Sequence, residues 1–181
     1  VLGPVANDVV PASEDGTLPA SATAGVAVSS LVTSVTDPDA NDVHDGATGT
    51  PTGIAVVGAD TSRGNWYYST DAGQTWTLFA SASTPAVSSG NALFLAGGPD
   101  TRIAFVSTAK DYNGTIGNAL QFKAWDGFDP HTNGSTGALP ATLATAAALN
   151  TPGTSYSAQT DTLVVKVGAV NDAPVLSLIH I

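Results

Sequence analysis

The residues from Gly53 to Trp76 restrict what this chain can fold into more than any other stretch. Ile54, Val56 and Val57 form a β-branched run that stops at Gly58-Ala59-Asp60. Asn65-Trp66-Tyr67-Tyr68-Ser69 resumes a strand pattern, and Asp71-Ala72-Gly73 precedes Thr75-Trp76-Thr77-Leu78-Phe79. β-Branched and aromatic residues suit a pleated surface, and Gly and Asp mark the turns, so the stretch predicts a meander of antiparallel strands. The same pattern continues at Asn91–Leu95, Thr101–Val106, Ala119–Asp126 and Thr162–Val167, and Ala27–Val32 also reads as strand. Ile103 and Phe105 are expected on one face, with Arg102 and Ala104 on the other. Leu120, Phe122 and Ala124 are expected to face a core, with Gln121, Lys123 and Trp125 pointing away. A helix is expected only over Leu139–Leu149, where Pro140 suits a first turn and Ala and Leu favour helix. The 181 residues can bury a substantial core.

Ser69-Thr70-Asp71-Ala72-Gly73-Gln74-Thr75-Trp76 has the spacing S-x-D-x-G-x-T-W. It resembles the Asp-box hairpin turn repeated in sialidase-type propellers. One copy makes no propeller, so the box reads as a hairpin staple: Asp bonds its own turn, Gly supplies positive φ, and Trp packs beneath. Charge narrows the partners. Fifteen acidic groups, all Asp except Glu14, face five basic ones, for a net charge of −10. That balance argues against nucleic acid or an anionic membrane as partner and favours cations, with Asp suited to loop-built oxygen cages for calcium. No apolar run reaches the roughly 18 residues of a membrane span. Cysteine is absent, which removes disulfides and thiolate zinc sites. With no signal-peptide pattern at its start, the chain is expected to be a piece of a longer exported protein.

Asn7-Asp8 near one end and Asn171-Asp172 near the other sit in similar apolar surroundings, as in a module cut from a tandem array. Glu14 follows the first junction. Val35-Thr36-Asp37-Pro38-Asp39-Ala40-Asn41-Asp42 then alternates carboxylates around a stiffening proline, which lowers the entropy lost on binding an ion. A lone Glu, a D-P-D loop, the D-Y-N-G of Asp111-Tyr112-Asn113-Gly114 and the closing V-N-D-A-P of Val170–Pro174 together resemble the cadherin-like repeats of large bacterial adhesins. Those are calcium-stiffened surface proteins exported by type I secretion and grouped with the repeats-in-toxin class. Within that class, the module length and the core W-Y-Y-S-x-D-x-G-x-T-W look like the calcium-dependent peptide-binding domains near the distal end.

The resemblance implies an all-β fold, a cadherin- or immunoglobulin-like β-sandwich with an elaborated loop insertion. It implies one adhesin module over residues 1–170, with 171–181 either a linker to the next module or a foreign tail. It also implies Ca2+ at the module junction, on Glu14, Asp37 and Asp39, with Asn171 and Asp172 as linker ligands. Asp42 and Asp45 either extend the loop or are solvated charges, and His44 is expected to be an exposed loop residue, since imidazole suits calcium poorly. Asp111 could also reach a metal, although Asn-Gly beside Asp is ordinary turn chemistry.

Asp126–Gly137 opens a second informative region, an insertion running to about Ala158 that is long for a connection without a function. Asp126 and Asp129 are expected to hold a calcium with an open position. Trp125 would form an apolar platform beside it, and His131 and Asn133 would complete a ligand-binding site. Catalysis is not expected. His131 and Asp129 lack a nucleophile setting such as G-x-S-x-G, and no phosphate-cradling loop is present. The expected function is a calcium-dependent ligand-binding module of a secreted, cell-surface adhesin, monomeric, docking an extracellular peptide. A calcium-rigidified extender repeat and a glycan-binding module are the alternatives.

Overall fold

The structure is a computed structural model and describes residues 9–19, 25–33, 53–127, 129–140, 155–157 and 159–174. In chain order the described elements are β1 (Val9–Ser13), β2 (Val26–Ala27), α1 (Val28–Leu31), β3 (Gly53–Ala59), β4 (Gly64–Ser69) and β5 (Thr77–Ala80). They continue as β6 (Ala92–Leu95), β7 (Arg102–Ser107), β8 (Gly114–Trp125), β9 (Thr136–Gly137) and β10 (Asp161–Gly168). Two sheets result. A six-stranded sheet runs β1-β10-β8-β3-β6-β9, and a four-stranded sheet runs β2-β7-β4-β5. No described helix is long and apolar enough to cross a membrane.

The alternation in the sequence becomes burial in the fold. Ile54, Val56, Leu93, Leu95, Leu120, Phe122 and Leu163 of the six-stranded sheet share one apolar cluster with Trp66, Ile103 and Phe105 of the four-stranded sheet. Trp66 is the largest fully buried side chain, packed edge-on against Phe105 at 5.1 Å, with its indole N–H donating to the Asp60 carbonyl at 3.0 Å. A buried indole needs such an acceptor, because an unpaired polar group away from water is costly.

The expected meander holds only in part. β4 and β5 form the hairpin, but β3 pairs with β6 and β8 and so belongs to the other sheet. The segment 27–32 also departs from expectation. After two strand residues it closes one helical turn, with Ser30 Oγ donating to the Ala27 carbonyl at 2.7 Å. The reason is spacing: Val28 and Leu31 are both buried, and three residues apart they share a helical face but oppose each other on a strand. The helix expected over Leu139–Leu149 lies outside the described residues from 141 onward.

β1 and β10 run parallel, Val9 opposite Val164 and Ser13 opposite Gly168. The chain therefore enters the sheet at one end and leaves it at the other. β8, antiparallel to β10 and 12 residues long, spans between these ends. At 3.3–3.4 Å per residue it separates them by about 35 Å.

Candidate functional site

Residues singled out from the sequence gather at the two opposite ends of β8. At the end where β1 and β10 finish, the Glu14 side chain is 5% exposed. Its Oε1 accepts the Val170 N–H at 2.5 Å and its Oε2 accepts the Asn113 Nδ2 at 3.3 Å. The D-Y-N-G turn, with Asp111 at φ 56°, brings Asp111 to the same corner. Asp172 follows β10 on the exposed segment that includes Asn171. Asp15, burial, Asp111 and Glu14, in that order, push the Asp172 carboxyl above its ordinary range. Negative charge here is thus gathered from three separate chain segments. Within this arrangement no three His, Asp or Glu side chains among the described residues stand close enough together to hold a metal ion. Asp37, Asp39, Asp42, His44 and Asp45 lie outside the described residues. The sequence reading missed Asp15; its position directly after Glu14 was the available signal.

At the other end, β8 finishes in Trp125, which faces away from the shared core as its register dictates. It does not form an exposed platform, however. Trp125 is 4% exposed and belongs to a second apolar cluster with Ala55, Ala92, Phe94, Leu139 and Tyr156. Here the six-stranded sheet buries both faces, because the insertion returns across the outer one. β9 adds to the sheet edge beside β6, Leu139 N donates to the Ser89 carbonyl at 2.7 Å, and Tyr156 bridges to Trp125.

Asp129 ties this cover down. Its Oδ1 accepts the Trp125 indole N–H at 3.2 Å and the His131 backbone N–H at 2.9 Å. Its Oδ2 accepts the Tyr156 hydroxyl and lies 2.8 Å from His131 Nδ1. A carboxylate offers about four lone-pair directions, and four protein groups use them, which leaves none for an ion in this arrangement. Burial raises the Asp129 carboxyl, but the bonds from Tyr156 and His131 outweigh it and hold the group below its ordinary range. Burial, then the hydrogen bond to Asp129 and its charge, push the Tyr156 hydroxyl well up, so it stays a donor. The His131 ring stacks on Phe94, centroids 3.8 Å apart and planes 17° off parallel. A Cβ at Gly137 would collide with His131 Nε2, so the return strand closes over the imidazole only with glycine there.

Asn133 is exposed, but its amide is bonded at both ends. Its Oδ1 accepts the Ala96 N–H at 3.0 Å and its Nδ2 donates to Thr101 Oγ1 at 2.9 Å. Asp126, half-buried, donates its backbone N–H to the Ser155 carbonyl at 3.1 Å. Of the expected ligand-binding set, Trp125, Asp129, His131 and Asn133 therefore fasten the insertion to the sheet. Tyr156 and Phe94 complete that fastening and were missed. The signal for Tyr156 was an aromatic near the end of a Ser/Thr-rich insertion. The two expected calcium positions are far apart, Glu14 and Asp172 at one end of β8 and Asp126 and Asp129 at the other.

Comparisons with protein-family models, with curated proteins and with solved structures gave no match.

Proposed function

We propose that the chain is a calcium-dependent module of a secreted bacterial surface adhesin, of cadherin- or immunoglobulin-like β-sandwich type, and that it docks an extracellular peptide. The observation that carries this reading is the convergence of Glu14, Asp15, Asp111 and Asp172 at the end where β10 leaves the sheet. Carboxylates from three segments, with no cysteine in the chain, are the donor chemistry of a hard cation such as calcium. The raised Asp172 carboxyl means that repulsion there is not neutralised by the protein itself. An ion on Glu14, Asp37, Asp39, Asn171 and Asp172 would supply the missing positive charge and fix the exit of the chain; since no three described carboxylates stand close enough to hold it, Asp37 and Asp39 would complete the cage. The parallel β1 and β10 suit a module in a tandem array, since entry and exit lie at opposite ends.

The ligand face belongs to the insertion, the elaboration that a plain repeat would lack. A second reading, the extender repeat, is favoured by the inward bonding of Asp129, His131 and Asn133. A peptide and glycan array probed with calcium and with chelator decides between them. Calcium-dependent capture of peptides supports the peptide reader, capture of sugars alone assigns a glycan reader, and no capture leaves the extender.

A further inference from the structure

The chain contains two Asn-Gly pairs, Asn113-Gly114 and Asn133-Gly134. This dipeptide is the one most prone to spontaneous deamidation, because glycine has no Cβ to hinder attack by its backbone nitrogen. We infer that Asn113 is a self-modifying site that converts to aspartate and isoaspartate in the folded protein, whereas Asn133 is held unreactive.

In the reaction, the Gly114 nitrogen loses its proton and attacks Asn113 Cγ. The side-chain nitrogen leaves as ammonia and a five-membered succinimide forms. Water opens the succinimide at either carbonyl, so that asparagine and water become an acid and ammonia, with no oxidant or reductant needed. At Asn133 the atoms this closure requires are engaged. Oδ1 accepts the Ala96 N–H, Nδ2 donates to Thr101 Oγ1, and the Gly134 N–H donates to the Phe94 carbonyl at 2.8 Å. Both asparagines are exposed, so the difference lies in bonding: Asn113 Nδ2 makes only the long 3.3 Å bond to Glu14 among the described residues. Gly114 stands opposite Val167 in the last registered pair of the β8–β10 ladder, where opening costs least.

The fold itself keeps the labile pair in place. Gly114 sits at φ 148°, which other residues rarely adopt, and Asn113 supplies a donor to buried Glu14. Conversion removes that donor and sets a new carboxylate against Glu14, so the modified protein should be less stable at this corner.

The test is incubation of the intact protein in mildly alkaline buffer without calcium, followed by peptide mapping that separates aspartate from isoaspartate, with a denatured sample in parallel. The expected result is conversion at Asn113 about tenfold or more faster than at Asn133 in the native protein. In denaturant the two rates should come together. Asn113→Asp should melt below Asn113→Gln, which keeps an amide donor. Equal native rates at the two sites, no native reaction at Asn113, or an Asn113→Asp variant as stable as Asn113→Gln would each overturn the inference.

Discussion

At the scale of single residues, a few short polar side chains do most of the local positioning. Asp71 is the clearest. Its Oδ1 accepts the Thr75 N–H at 2.9 Å and the Ser69 hydroxyl at 2.7 Å, and its Oδ2 accepts the Thr75 hydroxyl at 2.6 Å. Ala72 and Gly73, both at positive φ, complete the turn that joins β4 to β5. The Thr75 hydroxyl, then the Thr75 N–H and Ser69, lower the Asp71 carboxyl from 3.8 to about 2. A folded value below the unfolded one means the unfolded chain takes up the proton first. The contribution is therefore fully present above 3.8 and is lost as pH falls through about 2. Asp71→Asn should lower the melting temperature at neutral pH, and the gap to the parent should close across that window. Melts recorded over an acid series check it; a gap that persists at the acid limit would refute the assignment. The box was legible because its partners lie within seven positions. The partner of Trp76 was not, since its indole donates to the Pro19 carbonyl at 3.0 Å, 57 positions away.

Among elements, the insertion departs most from its expected role. Its acidic and aromatic residues suggested an open site, yet they face the sheet and hold the segment down. The Tyr156 hydroxyl meets a buried carboxylate, so Tyr156→Phe should cost about 1–3 kcal/mol, measured by denaturant unfolding. Asp129→Ala removes the partner of four groups on three residues at once. It should free residues 131–137 while leaving the shared core intact. Hydrogen exchange should rise in β9 and Trp125 emission should shift toward that of a solvated indole, with protection of β8 and β10 unchanged. Loss of protection throughout would mean that the insertion and the core unfold together. The alternation of β8 was readable and correctly set Trp125 apart from Leu120, Phe122 and Ala124. It could not reveal what covers the second face, because periodicity reports direction and not neighbours.

At the scale of the whole molecule, one core joins both sheets while chemistry divides between two ends. Leu120, fully buried in the shared cluster, should cost about 2–5 kcal/mol when cut to alanine, a loss visible in a global unfolding midpoint. The proposed calcium would act at the other level. A ligand that binds only the folded state stabilises it by mass action, about 2.7 kcal/mol at a hundredfold excess over Kd. Melts in calcium should therefore exceed those in chelator, and Glu14→Gln should shrink the difference. Coincident curves for the unaltered protein would remove calcium from the reading.

The sequence by itself determined the all-β class, the inward faces of β7 and β8 and the turn at Asp71, because each depends on residues close together in the chain. The fold decided what depends on distant pairing. It sent β3 to the sheet opposite β4, closed a helical turn at Val28–Leu31, drew Glu14, Asp15, Asp111 and Asp172 to one corner and covered Trp125 with the insertion. Strand order and the cover of a sheet face arise from contacts between remote segments, and local propensity carries no information about which segments meet.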